Sequence, residues 1–182
     1  MPDARRGAVF LDRDGTLVED PGYLHEPAAV RLLPGVADGL RRLAAAGWPL
    51  VIVSNQSGIA RGLFGPEAFP AVNRRVEELA GVRFAGAYHC PHHPDFTGPC
   101  ECRKPALKLF RDAATDLGLD LARSWFVGNR VGDVEPAAAL GGHPLLVAQA
   151  APAPDLALAL AQGLPVAADF PDAASRILAQ VP

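Results

Sequence analysis

Short apolar or β-branched runs alternate along the chain with longer segments rich in Ala, Leu and Arg. An apolar run of about four to eight residues bounded by turn formers is strand-like, whereas apolar positions spaced three and four apart over a longer window are helix-like. Strands are therefore predicted at about Ala8 to Leu11, Leu50 to Ser54, Ala85 to Tyr88, Trp125 to Gly128 and Pro144 to Val147. Helices are predicted at about Val36 to Ala46, Pro66 to Leu79, Ala106 to Leu117 and Glu135 to Leu140, and a last strand and helix share Val166 to Ala179. The Ala- and Pro-rich stretch Ala148 to Pro154 reads as a connecting loop.

This alternation is the grammar of an α/β chain: a mostly parallel sheet with helices on both faces, three layers in all. No repeat or linker divides the sequence, so one domain over residues 1–182 is expected. Ligands of such sheets bind beyond the carboxyl ends of the strands, where Asp12, Ser54 and Asn129 fall.

With 49% hydrophobic residues in 182, the chain can bury a core of its own. A net charge of -3 without a Lys/Arg run gives no footprint for nucleic acid or an anionic membrane. The expected partner is a small phosphorylated metabolite held by a few basic residues, and nothing in the pattern predicts a dimer, so a monomer is expected. Asp3, Arg5 and Arg6 precede a short strand instead of a long apolar leader segment, so a cytoplasmic location is expected.

The chemistry begins where the first strand ends, at Asp12-Arg13-Asp14-Gly15-Thr16. Asp-x-Asp-Gly alone is a common polar turn. Two carboxylates at one strand end also suit phosphoryl transfer, with Asp12 placed to attack phosphorus and Asp14 to move a proton. The second strand runs into Ser54-Asn55-Gln56-Ser57-Gly58, which offers a hydroxyl, two amides and backbone donors to a phosphate. Arg103-Lys104-Pro105 precedes a helix, and Lys104 there can neutralise phosphate oxygens while Arg103 grips a further anionic or hydroxyl group. A fourth apolar strand ends in Gly128-Asn129-Arg130-Val131-Gly132-Asp133 and is expected to complete a cation site.

All three cysteines lie between Cys90 and Cys102, which favours metal over disulfides. Cys90, His92, Cys100 and Cys102 supply three thiolates and one imidazole, enough to close a structural zinc site, with His93 as the rival imidazole. Such a loop, over about residues 88–104, would hold Arg103 and Lys104 at the phosphate crevice.

Taken in order, these four segments resemble the four motifs of the haloacid dehalogenase superfamily phosphatases over nearly the whole chain. Within it, Asp12 to Thr16, Gly22-Tyr23-Leu24-His25-Glu26, Ser54 to Gly62 and Cys90-Pro91-His92-His93-Pro94 resemble the subgroup that acts on heptose bisphosphate and histidinol phosphate. The resemblance implies a Rossmann-like three-layer fold without a large cap domain and an aspartyl-phosphate formed on Asp12. It also implies proton transfer by Asp14, a phosphoryl group held by Ser54 and Lys104, and the same zinc ligands. Magnesium is implied as cofactor, at Asp12, the Asp14 backbone carbonyl, Asn129 and Asp133. Asn129 departs from the family pattern, which has a carboxylate there; an amide oxygen ligates a hard cation but brings no charge. Hydrolysis of a heptose 1,7-bisphosphate at position 7 is the expected activity, Arg61 and Arg103 being available to a second phosphate. Histidinol phosphate hydrolysis is the alternative, and Asn129 raises a low-turnover phosphate-binding protein as another.

Overall fold

The computed structural model describes residues 6–180, and Asp3 and Arg5 lie outside them. The strands β1 (Val9–Leu11), β2 (Leu50–Asn55), β3 (Gly86–Cys90), β4 (Trp125–Gly128), β5 (His143–Val147) and β6 (Val166–Ala167) form one sheet in the order β3-β2-β1-β4-β5-β6. All neighbours run parallel, with Val9 set between Leu50 and Trp125. The order reverses at β1, so a crevice opens there between outgoing loops.

Period-two alternation explains why the central strands are apolar throughout. Val9, Leu11, Ile52 and Val127 face one core, packed under α1 (Val36–Ala45), α3 (Ala68–Ala80) and α9 (Phe170–Leu178). Phe10, Val53 and Phe126 face the other core, under α5 (Lys108–Leu117) and α7 (Pro136–Leu140). There Phe10, Phe110 and Phe126 form a ring triad with centroids 5.1–5.6 Å apart. In α3 the buried positions Phe69, Val72, Val76 and Ala80 recur at helical spacing, and Gly81 in the left-handed region ends the helix.

Three short helices, α2 (Ser57–Ala60), α4 (Pro94–Thr97) and α6 (Val131–Val134), follow β2, β3 and β4, and α2 and α6 bring Ser57, Gly58 and Asp133 to the crevice. The segment from Glu135 to Leu140 is α7 as expected from Pro136 onward, but helix begins earlier, at α6. Two differences occur around residue 150. The stretch expected to be loop contains a 3-10 turn at Ala148–Ala150 and the start of α8 (Ala153–Ala161), a helix the pattern did not predict. Its Ala/Leu repeat is too uniformly apolar to show an amphipathic stripe, and its prolines, which read as breakers, sit at the helix start where the missing N–H costs nothing. No separate cap domain stands over the sheet among the described residues. No described helix is long and apolar enough to cross a membrane.

Candidate active site

A cavity of about 470 Å³ lies at the carboxyl ends of β1, β2 and β4. Asp12 leaves β1 with its backbone N–H still bonded to the Val127 carbonyl at 2.9 Å, so its position is fixed by the sheet. The chain then turns at Gly15, whose φ of +82° suits glycine and whose missing Cβ would stand 2.3 Å from Asn129 Nδ2. Behind the turn, the Thr16 hydroxyl lies 3.2 Å from Asp12 Oδ2 and 3.4 Å from Asn129 Oδ1, so these two oxygens converge on one point.

Lys104 reaches the same carboxylate from the opposite side. Its ammonium, with a side chain 2% exposed, donates to Asp12 Oδ1 at 2.9 Å, Asp133 Oδ1 at 2.7 Å and the Val53 carbonyl at 2.6 Å. All three N–H bonds of the ammonium are thereby satisfied. For Lys104, burial works against the charge, but Asp12 and Asp133 outweigh it and hold the group above its ordinary value. Burial, with the nearby Asp133 charge, pushes the Asp12 carboxyl up to about 7 against the pull of Lys104.

The remaining expected residues divide by what they touch. Asp14 accepts from Arg13 Nε and Nη2 and from Gln56 Nε2, and the same Gln56 nitrogen donates to Ser54 Oγ at 2.8 Å. Both hydrogens of the Gln56 amide thus serve Asp14 and Ser54, while Ser54 lines the crevice. Asn55 also borders it, but its side chain pairs with the backbone of Lys104. Asp133 has one oxygen on Lys104 and the other on the Arg130 N–H, which caps α6. Asn129 is buried beside Gly15 and Thr16, its Oδ1 toward the Thr16 hydroxyl and its Nδ2 donating to the Ala150 carbonyl at 3.0 Å.

At the outer rim the Arg61 guanidinium lies between the rings of Tyr23 (5.7 Å) and Phe96 (4.6 Å), and Arg103 donates to the His92 carbonyl at 3.3 Å. The sequence pattern assigned no role to Arg13 or Arg130, and placed Tyr23 only at the start of a loop controlling access. A basic residue between two carboxylates was a legible signal for Arg13; Tyr23 carried none beyond its place in the second quoted motif.

Cys90, His92, Cys100 and Cys102 bring one donor atom each to within 4.8 Å of one another. Two of their sulfur–sulfur separations, 3.6 and 3.7 Å, lie near the edge of about 3.8 Å that a tetrahedron of 2.3 Å bonds requires, and the third, between Cys90 and Cys102, is shorter at 2.9 Å. This donor set is compatible with zinc. Of the two rival imidazoles, His92 faces the sulfurs while His93 turns to Arg61 and Phe96.

A family model described as haloacid dehalogenase-like hydrolase matches residues 22–141. The chain belongs to this family of hydrolases. It is 44% identical over 140 residues to a D-glycero-beta-D-manno-heptose-1,7-bisphosphate 7-phosphatase of Yersinia pestis, covering 72% of this chain and 74% of that one. A protein of the same description from Haemophilus ducreyi is 42% identical over 142 residues, covering 74% and 78%. Among solved structures, the D,D-heptose 1,7-bisphosphate phosphatase of B. bronchiseptica, complexed with magnesium and phosphate, superposes with a TM-score of 0.83. It is 32% identical, and the match covers 97% of this chain and 99% of that one. The hydrolase described here thus shares its fold, over 97% of its length, with a phosphatase whose structure was determined with magnesium and phosphate.

Proposed function

We propose that this hydrolase removes the 7-phosphate of D-glycero-β-D-manno-heptose 1,7-bisphosphate. The observation that carries the reading is the half-buried Asp12 carboxylate at the sheet's switch point, facing a crevice of about 470 Å³ with Lys104 at 2.9 Å and Ser54 on the adjoining strand. The names of its relatives supply the substrate and the anomer.

In this mechanism Asp12 attacks phosphorus and becomes an aspartyl-phosphate, and the alcohol oxygen departs with a proton from Asp14. Asp14, now a carboxylate, takes a proton from the water that hydrolyses the acyl phosphate, which restores both residues. Lys104 and the Ser54 hydroxyl hold the transferring oxygens, and Lys104 keeps the charge of Asp12 compatible with an incoming dianion. Arg61 and Arg103, at the rim, receive the second phosphate, which favours a bisphosphate over histidinol phosphate.

The donor set fits magnesium: Asp12 Oδ2 and Asn129 Oδ1 are hard oxygens that converge beside Thr16, within a group of carboxylates. The Asp12 carboxylate, the Asp14 carbonyl and Asn129 would hold the ion, with Asp133 contributing charge behind Lys104. When bound, it supplies neutralising charge to the phosphate oxygens. At the loop, the three thiolates and His92 hold a structural zinc. The reading takes residues 1–182 as one domain acting as a cytoplasmic monomer on a small metabolite, without nucleic acid or membrane.

Phosphate release from the β and α anomers of the bisphosphate and from histidinol phosphate, with magnesium and with Asp12→Asn as blank, tests the reading. A preference of about tenfold or more for the β anomer is expected. Equal or better turnover of histidinol phosphate would refute the substrate, and activity in Asp12→Asn would refute the nucleophile.

A further inference from the structure

Arg13 heads the fully enclosed side chains by volume, and its exposure is 0%. A buried guanidinium requires a counter-charge and satisfied donors. Its Nε and Nη2 donate to Asp14 Oδ1 and Oδ2 at 2.8 and 3.0 Å. Its Nη1 donates to Asn73 Oδ1 at 3.2 Å, and the guanidinium carbon stands 5.3 Å from the centre of the Phe69 ring. Asn73 and Phe69 both belong to α3, so that helix sets the plane of the fork from behind.

The two oxygens of Asp14 are not equivalent. Oδ2 accepts from Arg13 and also from Gln56 Nε2 at 2.8 Å, whereas Oδ1 accepts from Arg13 alone. Each carboxylate oxygen has two lone-pair sites, so Oδ2 is filled and Oδ1 keeps one open.

We propose that Arg13 is a positioning residue for proton transfer, fixing the Asp14 carboxylate by its two-pronged grip so that the proton passes through the one open site of Oδ1. The inference rests on the reading of Asp14 as the proton donor. As Asp12 bonds to phosphorus, the bond from phosphorus to the leaving oxygen breaks, and its electron pair takes the proton from Asp14 Oδ1. Asp14 is left as a carboxylate paired with Arg13.

The test uses the magnesium- and zinc-loaded enzyme and two leaving groups: the heptose bisphosphate, whose alkoxide needs a proton to depart, and p-nitrophenyl phosphate, whose phenolate does not. Arg13→Lys keeps the charge and loses the fork. Its kcat/KM should fall about 100-fold on the bisphosphate and less than about threefold on the aryl ester, within the usual contribution of general acid catalysis. A burst of nitrophenolate should appear, because the second half-reaction still needs Asp14 as base. Asn73→Leu, which frees the fork from behind without touching Asp14, should discriminate in the same sense by about tenfold, and it carries the test if Arg13→Lys does not fold. Equal losses on both esters, or wild-type rates in the variants, would overturn the proposal. Asp14→Asn is the control: if it fails to discriminate between the esters, the donor assignment itself falls, whatever Arg13 does.

Discussion

The side chain of Asn55 grips the backbone of Lys104 at both ends of its peptide: the Lys104 N–H donates to Oδ1 at 2.9 Å, and Nδ2 donates to the Lys104 carbonyl at 3.2 Å. The two residues lie 49 positions apart, so this amide joins the backbone of the Cys/His-loop segment to the end of β2, beside the Lys104 ammonium's own bond to the Val53 carbonyl. Through it, a residue that the sequence suggested as a phosphate ligand instead fixes the cation that meets Asp12.

Replacing Asn55 by Ala should therefore weaken catalysis without removing any group from the phosphate. Two half-buried hydrogen bonds contribute about 1 kcal/mol each, so kcat/KM should fall by about ten- to thirtyfold. Steady-state kinetics with inorganic phosphate as competitor checks this; an unchanged rate would show that Lys104 is held without the clamp.

Magnesium binding should be linked to protons through Asp12. Burial and the neighbouring Asp133 charge push its carboxyl up from an ordinary 3.8 to about 7, so between these values the folded state holds the extra proton. In the metal-free protein this group's contribution to stability is present below about 4 and is lost as pH rises through 7. The cation needs the carboxylate, so its apparent affinity should rise with pH up to about 7 and then level off. Calorimetric magnesium titrations in two buffers of different ionisation enthalpy should show proton release at pH 6 and almost none at pH 8.

Asn129→Asp should lower the magnesium concentration for half-maximal activity, by about tenfold or more. A full charge a few ångströms from the cation is worth about 4 kcal/mol per unit of cation charge at an effective dielectric of about 20. Part is lost because the carboxylate cannot donate to the Ala150 carbonyl and faces it instead. Direct magnesium titration by calorimetry, alongside the rate measurements, checks the ligand assignment; an unchanged or higher requirement would count against it.

Removal of zinc should disorder the loop that carries Arg103 and Lys104 and reduce activity with it. The Arg103 contact to the His92 carbonyl depends on the loop's path, and Lys104 follows Cys102 by two residues. Chelation should lower the melting temperature and abolish most turnover, with recovery on adding zinc, and Cys102→Ser should do the same without that recovery. Full activity in demonstrably zinc-free protein would separate the loop from catalysis.

Much of this was written locally. Strand runs such as Trp125–Gly128 were legible because their lengths and boundaries are set by side chains adjacent in sequence, and the Asp12, Ser54 and Lys104 segments each carry their chemistry within a few residues. Helix α8 was not, because Ala/Leu residues without a polar face give no period to read. The choice between His92 and His93 depended on which way two adjacent side chains turn, and no local pattern encodes that.

The sequence by itself determined the succession of the six strands and of helices α1, α3, α5, α7 and α9, the presence of paired carboxylates at one strand end and the composition of a four-donor Cys/His loop. Tertiary structure decided the roles within the site. Asn55 and Gln56 hold other residues, Asn129 lies behind Thr16, Asp133 steadies Lys104 while capping α6, and Arg13 grips Asp14 from inside the core. The physical reason is that each such role is a hydrogen bond or ion pair between segments distant in sequence. Burial makes such pairing obligatory, but only the packed sheet and helices choose the partner.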